Sequence, residues 1–262
     1  MTMQHGKEQL EQLGDGDLAE ILGRVHDTFQ KRHPGMKDIA LPQTEITTKP
    51  GTTEVPQLRG LEPIRFALEI PRVSEELYMR TREAVGVTGY NFVAVIRPVS
   101  IGNLLVEDGQ RKSKRLGYVN DSKTMRATVP PEMEVAINPD KFEIDGSNSL
   151  STDEQKNRIE QEEARWKKRL PKDIRSLVGM YMVDPSTLLQ LEDAYMDKNK
   201  GKLLLPDFFA RTDVQTVSGH VAIVGRSVPT LRRRVDGWYR GDGAHDVFAV
   251  SVVVLPHREL AV

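Results

Sequence analysis

The side chains best suited to chemistry lie together near the C-terminus, in the tract 226–246, RSVPTLRRRVDGWYRGDGAHD. Its guanidinium groups, on Arg226, Arg232, Arg233, Arg234 and Arg240, can donate paired hydrogen bonds to a carboxylate or a phosphate. Asp236, Asp242 and Asp246 offer acceptors, and Trp238 and Tyr239 offer the large aromatic surfaces that anchor interfaces. This chemistry is recognition by contact rather than bond making. The alternative partner is nucleic acid, through Arg232, Arg233, Arg234, Trp238 and Tyr239, since arginines interleaved with aromatics combine phosphate contacts with stacking platforms. The three aspartates count against it, because they repel phosphates.

No catalytic grouping accompanies the tract. The histidines, His5, His26, His33, His220, His245 and His257, include no pair at the spacing of a helical zinc site. His245 and Asp246, with Asp242 nearby, have donors for a hard cation, although a solvated turn explains them more simply. Val224-Gly225-Arg226-Ser227 has one glycine where phosphate loops and dinucleotide fingerprints need several. Ser227 lacks the flanking glycines of a nucleophile elbow. With no cysteine, disulfides, thiolate ligands and cysteine nucleophiles are all ruled out. The expectation is a non-catalytic protein that needs neither cofactor nor metal.

The tract is also defined by what it lacks. Lysine and glutamate total 35 of the 262 residues, yet none falls in the 56 positions between Lys202 and Glu259. Strands prefer other residues and account for part of this shortage. Contact surfaces are depleted in the same two types, which accounts for it differently. A third account is genetic. From Ser227 to Asp246 every residue except Trp238 has a codon ending in a pyrimidine, the restriction that diversification of adenine-rich codons at their first two positions would leave.

The whole chain supplies little field of its own. Net charge is −1, so any attraction to nucleic acid or lipid has to be local. The basic clusters 110–115 (QRKSKR) and 164–172 (ARWKKRLPK) suit a solvated loop and a helix C-terminus that favours cations. The first residues show no apolar signal core, and no apolar run reaches membrane-spanning length. A protein made in the cytosol is the simplest expectation, with virus-particle or signal-less delivery as the open alternatives.

The elements that must position the tract follow from periodicity. Leu18, Ile21, Leu22, Val25 and Phe29 form a helical stripe behind Asp17, so residues 1–33 are expected to be a helical arm with an oligomerising face as one use. Residues 34–63, with recurrent prolines, are expected to be an extended linker. A mixed-sheet α+β core is expected over 64–262. IRFALEI, a Ser74-capped helix and Tyr90–Ile96 form a strand–helix–strand unit that suits a crossover. Asp108-Gly109 suggests a hairpin turn, and Glu132–Asn138 alternates like a half-exposed strand. The block 151–200 is expected to be helical. It opens with a Ser151/Glu154 capping box, with i,i+4 pairs Glu154/Arg158 and Glu163/Lys167 and an apolar edge of Ile159, Trp166 and Leu170. Asp184-Pro185 then starts a second helix with Leu188, Leu189, Leu191 and Tyr195 inward and Gly201 as its stop. Val247–Leu255 suits one continuous central strand.

Gly225-Arg226-Ser227, Leu231-Arg232, Trp238 and the run VFAVSVVVLP, taken in order, resemble the C-terminal end of C-type-lectin-fold variable proteins of diversity-generating retroelements. They are also similar to the related formylglycine-generating-enzyme-like modules. The resemblance covers about residues 205–256, where it implies lectin-type strands displaying variable residues to diverse protein or surface ligands. It implies Arg232, Arg234, Asp236, Tyr239, Arg240, Asp242, His245 and Asp246 as display positions, with Leu231, Val235, Trp238 and Phe248 as scaffold. The chain departs from the family at Val247-Phe248-Ala249, where Gly-Phe-Arg is usual. It also lacks the cysteines of the formylglycine enzymes, so that activity does not carry over.

Overall fold

The computed structural model describes residues 64–65, 68–110, 115–217, 219–227 and 232–259, all within Glu54–Val262, the second of two units into which the chain divides. The expected arm, the whole of the expected linker, the middle of the 110–115 cluster and Leu231 lie outside the described residues.

Local chemistry starts most helices where the sequence expects. After β1 (Ile64–Arg65) and β2 (Arg72–Val73), helix α1 (Glu75–Val87) opens on Ser74, whose hydroxyl accepts the Leu77 N–H, and Gly89 leaves it at φ 102°. Strand β3 (Phe92–Ile96) follows. The expected crossover does not form, because β1, which lies in the expected first strand, pairs with β5 in a sheet of two, while β3 belongs to a different sheet. The Asp108-Gly109 hairpin is replaced by helix α2 (Ile101–Gly109), capped by Ser100. Ile101 and Leu104 give it an inward stripe that continues to Asp108. That buried carboxylate accepts the N–H groups of Arg115 and Leu116, at 2.9 and 3.1 Å. An acidic side chain in the last turn therefore tethers the next strand instead of making a turn.

Strand β4 (Leu116–Val119), short helix α3 (Lys123–Ala127), β5 (Thr128–Val129) and β6 (Met133–Ile137) come next. Strand β6 is buried at four of its five positions rather than half-exposed, because neighbouring strands flank it and both of its faces are covered. Helix α4 (Thr152–Lys167) has the full capping box, and Ile159 and Trp166 are buried. The Glu154 carboxylate is engaged by Ser151, at 2.8 Å from its N–H, and Glu163 pairs with Lys167 at 2.6 Å. The block 151–200 also contributes strand β7 (Gly179–Tyr181) before helix α5 (Pro185–Lys198), which opens on Asp184 with Pro185 at its first turn.

The remaining strands are β8 (Phe209–Gln215), β9 (His220–Ser227), β10 (Arg232–Tyr239), β11 (Val247–Phe248), β12 (Val252–Val254) and β13 (His257–Arg258). A mixed five-stranded sheet runs β11-β8-β9-β10-β4, and an antiparallel four-stranded sheet runs β3-β6-β12-β7. The run 247–255 is therefore two strands in two sheets. Between them the backbone is held by the 142–147 segment: Ile144 N–H donates to the Ala249 carbonyl and Ser251 N–H to the Phe142 carbonyl, both at 2.9 Å. A continuous apolar run says that both faces are buried, but not that they are buried in one sheet.

The two sheets share one core, with Ile96, Val135 and Val252 contributed from the four-stranded sheet and Ala222, Val224 and Val235 from the five-stranded one. A second core packs Ala136 and Val253 against α1 and α4 through Tyr78, Val85, Ile159 and Trp166. Helix α5 is buried along most of its length and covers the free edge of β3. The Gln190 amide exchanges hydrogen bonds with the Arg97 backbone at 2.9 and 3.0 Å, a side-chain substitute for a missing strand neighbour.

Candidate recognition surface

Strand β10 is internal to its sheet, and its alternation separates the arginines of the tract. Arg233, Val235 and Gly237 face the shared core, while Arg232, Arg234, Asp236 and Trp238 face outward. Arg226, register partner of Arg233 on β9, is also buried. These two inward arginines meet acidic residues of α5. Arg226 Nη2 lies 2.7 Å from Glu192 Oε1, and Arg233 Nη1 lies 3.0 Å from Asp193 and 2.8 Å from the Leu189 carbonyl oxygen. Arg115 extends the network to Asp193 and Asp197, each at 2.8 Å. Burial pushes the Glu192 carboxyl up, and the charges of Arg226 and Arg233 oppose that shift. Burial likewise lowers the Arg233 guanidinium, with Asp193 and Glu192 acting to hold its charge.

Contrary to expectation, the tract 226–246 is not a surface throughout. Arg226 and Arg233 belong to a buried ionic network, and Arg233 is removed from the nucleic-acid alternative. A polar face on α5 decides this, and it sits 34 residues from Arg226 in the chain.

The outward row is more open. Arg234 lies over the Tyr118 ring, 5.2 Å from its centroid, and is hydrogen-bonded to Asp236. Tyr118 is 50% exposed. It reaches this face through an irregularity where β4 pairs with β10, between the inward residues Leu116 and Val119, as a β-bulge re-aims a side chain. Trp238, expected as scaffold, is 37% exposed opposite the buried Val221. Val235 and the half-buried Phe248 do serve as scaffold, the latter with its ring 5.4 Å from that of Phe208. On β9 the same outer face is closed: a Cβ on Gly225, register partner of Arg234, would lie 2.5 Å from the Phe209 ring. The open strip is therefore confined to β10 and the edge strand β4.

The rest of the expected positions gather at the far end of β10. Tyr239 is 58% exposed and packs on His220, with ring centroids 4.0 Å apart. In the turn that follows, Arg240 pairs with Asp153 at 2.6 Å, which holds the Asp153 carboxyl below its usual range. The backbone carbonyls there are taken: the Arg240 oxygen by Thr152 N–H and the Asp242 oxygen by buried Arg211, both at 2.8 Å, and the Asp246 oxygen by Phe209 N–H at 2.8 Å. Asp242 and His245 remain exposed on this fixed frame. The eight expected positions thus divide into an outward row (Arg232, Arg234, Asp236), a strand-end aromatic (Tyr239) and a clamped turn (Arg240, Asp242, His245, Asp246).

Among the described residues no group of three or more His, Asp or Glu is arranged to hold a metal ion, and no helix is long and apolar enough to cross a membrane. A feature that the sequence reading missed is an open cleft of about 930 Å³, lined among others by Arg72, Val95, Pro131 and His257. Its residues come from five separate stretches of chain, so no local motif announces it. No family model, curated protein or solved structure matches this chain.

Proposed function

We propose that this chain is a non-catalytic recognition protein that binds a protein or surface ligand through the outward strip of β10 and β4. The observation that carries the reading is the exposure of Tyr118 and Trp238 around Arg232 and Arg234 on a strand whose alternate residues are fixed in the core, with Tyr239 exposed where that strand ends. Aromatic rings and arginine are the anchors that dominate contact surfaces, and rigid backing lowers the ordering cost of binding. The clamped turn extends the surface with Asp242 and His245. The lectin-type, retroelement-diversified identity of the C-terminal strands belongs to the same proposal, supported by the order of residues from Gly225 to Pro256 and by the codon restriction.

Two experiments test it. Wild type and an Arg234→Ala/Trp238→Ala variant are panned against a displayed protein library. Binders to wild type are expected to lose about 30-fold or more in affinity for the variant, the loss of a hot spot worth about 2 kcal/mol. Binders that ignore the variant place recognition elsewhere. Single-stranded oligonucleotides titrated at low and high salt are expected to show no affinity; steeply salt-dependent binding would transfer the strip to nucleic acid. For the diversification component, a near-copy of codons 226–246 differing at adenines, beside a reverse-transcriptase gene, is the expected genomic neighbour.

A further inference from the structure

The cleft lies over one end of the helix-covered face of the four-stranded sheet. On that face Ala136 and Val253 are buried beneath α1 and α4, yet Val95, register partner of Glu134, is 60% exposed. Pro98, Pro130, Pro131 and Pro256 wall the space above it. Each proline has a fixed φ and no N–H, so these walls are apolar and shaped before a ligand arrives. The volume, about 930 Å³, suits a small organic molecule, for which pockets run from about 300 to 1,000 Å³.

The basic groups of the lining, Arg72, His257 and Arg258, stand apart from that wall, on the β2–β13 ribbon. Arg72 and His257 are register partners in a parallel ladder, so their side chains leave the ribbon on the same face. Arg258, next in the chain, is already engaged. It stacks 4.6 Å over the Tyr78 ring, donates to Glu134 at 3.2 Å and lies 3.7 Å from Glu75. Tyr78 also donates to Glu134, and burial, this hydrogen bond and the Glu134 charge push its phenol up to about 12. The Glu134 charge is thus answered within the protein. Arg72 is exposed and makes no side-chain hydrogen bond or ion pair with the described residues.

From this division we propose that the cleft binds a small organic monocarboxylate. Its carboxylate sits on Arg72 and His257, and its hydrocarbon or aromatic body lies against Val95 and the prolines. A guanidinium beside a second donor matches the two oxygens of a carboxylate. Glu132, exposed and also on the lining, disfavours a polyanion such as phosphate more than a single carboxylate. This site is separate from the β10 strip and does not depend on it.

Calorimetric titration of the full chain tests the proposal, with phenylacetate, hexanoate and decanoate as probes. Benzyl alcohol, hexanol and inorganic phosphate are the comparisons. At least one carboxylate is expected to bind with a Kd of about 1 mM or tighter, and its uncharged counterpart about tenfold more weakly. Arg72→Ala is expected to weaken the carboxylate about tenfold and Val95→Glu to abolish its binding. Both changes are at exposed positions and leave melting cooperative, and Arg234→Ala leaves carboxylate binding intact. The proposal is overturned by absence of binding for every carboxylate at about 10 mM. Equal affinity for the alcohols, tighter binding of phosphate, or wild-type affinity in both cleft variants overturns it as well.

Discussion

On the inner face of β10, Arg233 is 2% exposed and sits among Asp193, Glu192 and the Leu189 carbonyl. One residue later, on the outer face, the Arg234 side chain is 40% exposed over the Tyr118 ring. The two share a residue type, a strand and a composition-biased tract, and they differ only in which way the pleat turns them. A charged group taken out of water must be paired and hydrogen-bonded within the fold, so Arg233 is a structural part. Arg234 keeps part of its side chain in water, paired with Asp236 and stacked on Tyr118. The lesson is that an arginine-rich strand is not one functional unit, because its two faces answer to different surroundings.

The strongest way to break this comparison is a matched pair of substitutions. Arg233→Ala removes one partner from a buried network and is expected to cost about 3–5 kcal/mol in urea unfolding. Arg234→Ala is expected to stay within about 0.5 kcal/mol of wild type, as surface changes do. Similar losses for both would erase the distinction between the faces. A second test asks whether the outer face is free everywhere. Gly225→Ala puts a methyl group into the Phe209 ring and the Phe208 carbonyl oxygen, 2.5 and 2.7 Å away, and overpacking of this kind costs about 1–3 kcal/mol. A neutral result in thermal unfolding would extend the open strip onto β9.

Smaller effects sharpen the boundary at the turn. Ser151→Ala removes the cap of α4, next to the Thr152 groups that hold the Arg240 carbonyl and Arg211. A loss of about 1 kcal/mol is expected, together with faster amide exchange at 240–246; unchanged exchange there would show that the turn does not depend on the helix end. The smallest effect is electrostatic. Arg240 lowers the folded-state pKa of Asp153, so the pair adds stability above the ordinary aspartate pKa of about 3.9, and that stability is lost as pH falls through the depressed folded value. Arg240→Ala should return Asp153 to the ordinary range in an NMR titration. An unmoved titration would mean that the turn's arginine is already free for a ligand.

Legibility in the sequence followed the range of the forces involved. Ser74, Ser151 with Glu154, and Asp184 with Pro185 marked helix starts correctly, because a cap bonds to N–H groups two or three residues away. Asp108-Gly109 misled for the converse reason: the pair suits a turn locally, but Asp108 is claimed by the N–H groups of Arg115 and Leu116. Arg234, Asp236 and Tyr239 were readable as surface candidates from residue type and from the resemblance, although alternation places Tyr239 on the parity of the inward Arg233 and it is exposed only because the strand ends there. Arg226 and Arg233 were not readable as buried, since Glu192 and Asp193 lie on a helix tens of residues upstream. The codon-like restriction covers the buried Arg233 and Val235 as fully as the exposed Arg234 and Asp242, so composition alone does not separate display from scaffold.

The sequence by itself determined the α+β class, the α1, α4 and α5 helix starts and the apolar positions that had to be buried, because these depend on periodicity and on contacts within a few residues. Tertiary structure alone decided that the run 247–255 divides between two sheets, that β2 is completed by β13, which arginines face the core, and that prolines from three segments enclose one cleft with Arg72. Each of these depends on a partner distant in the chain, and the physics that selects it, desolvation of charge and closure of hydrogen bonds, acts only once the chain is folded.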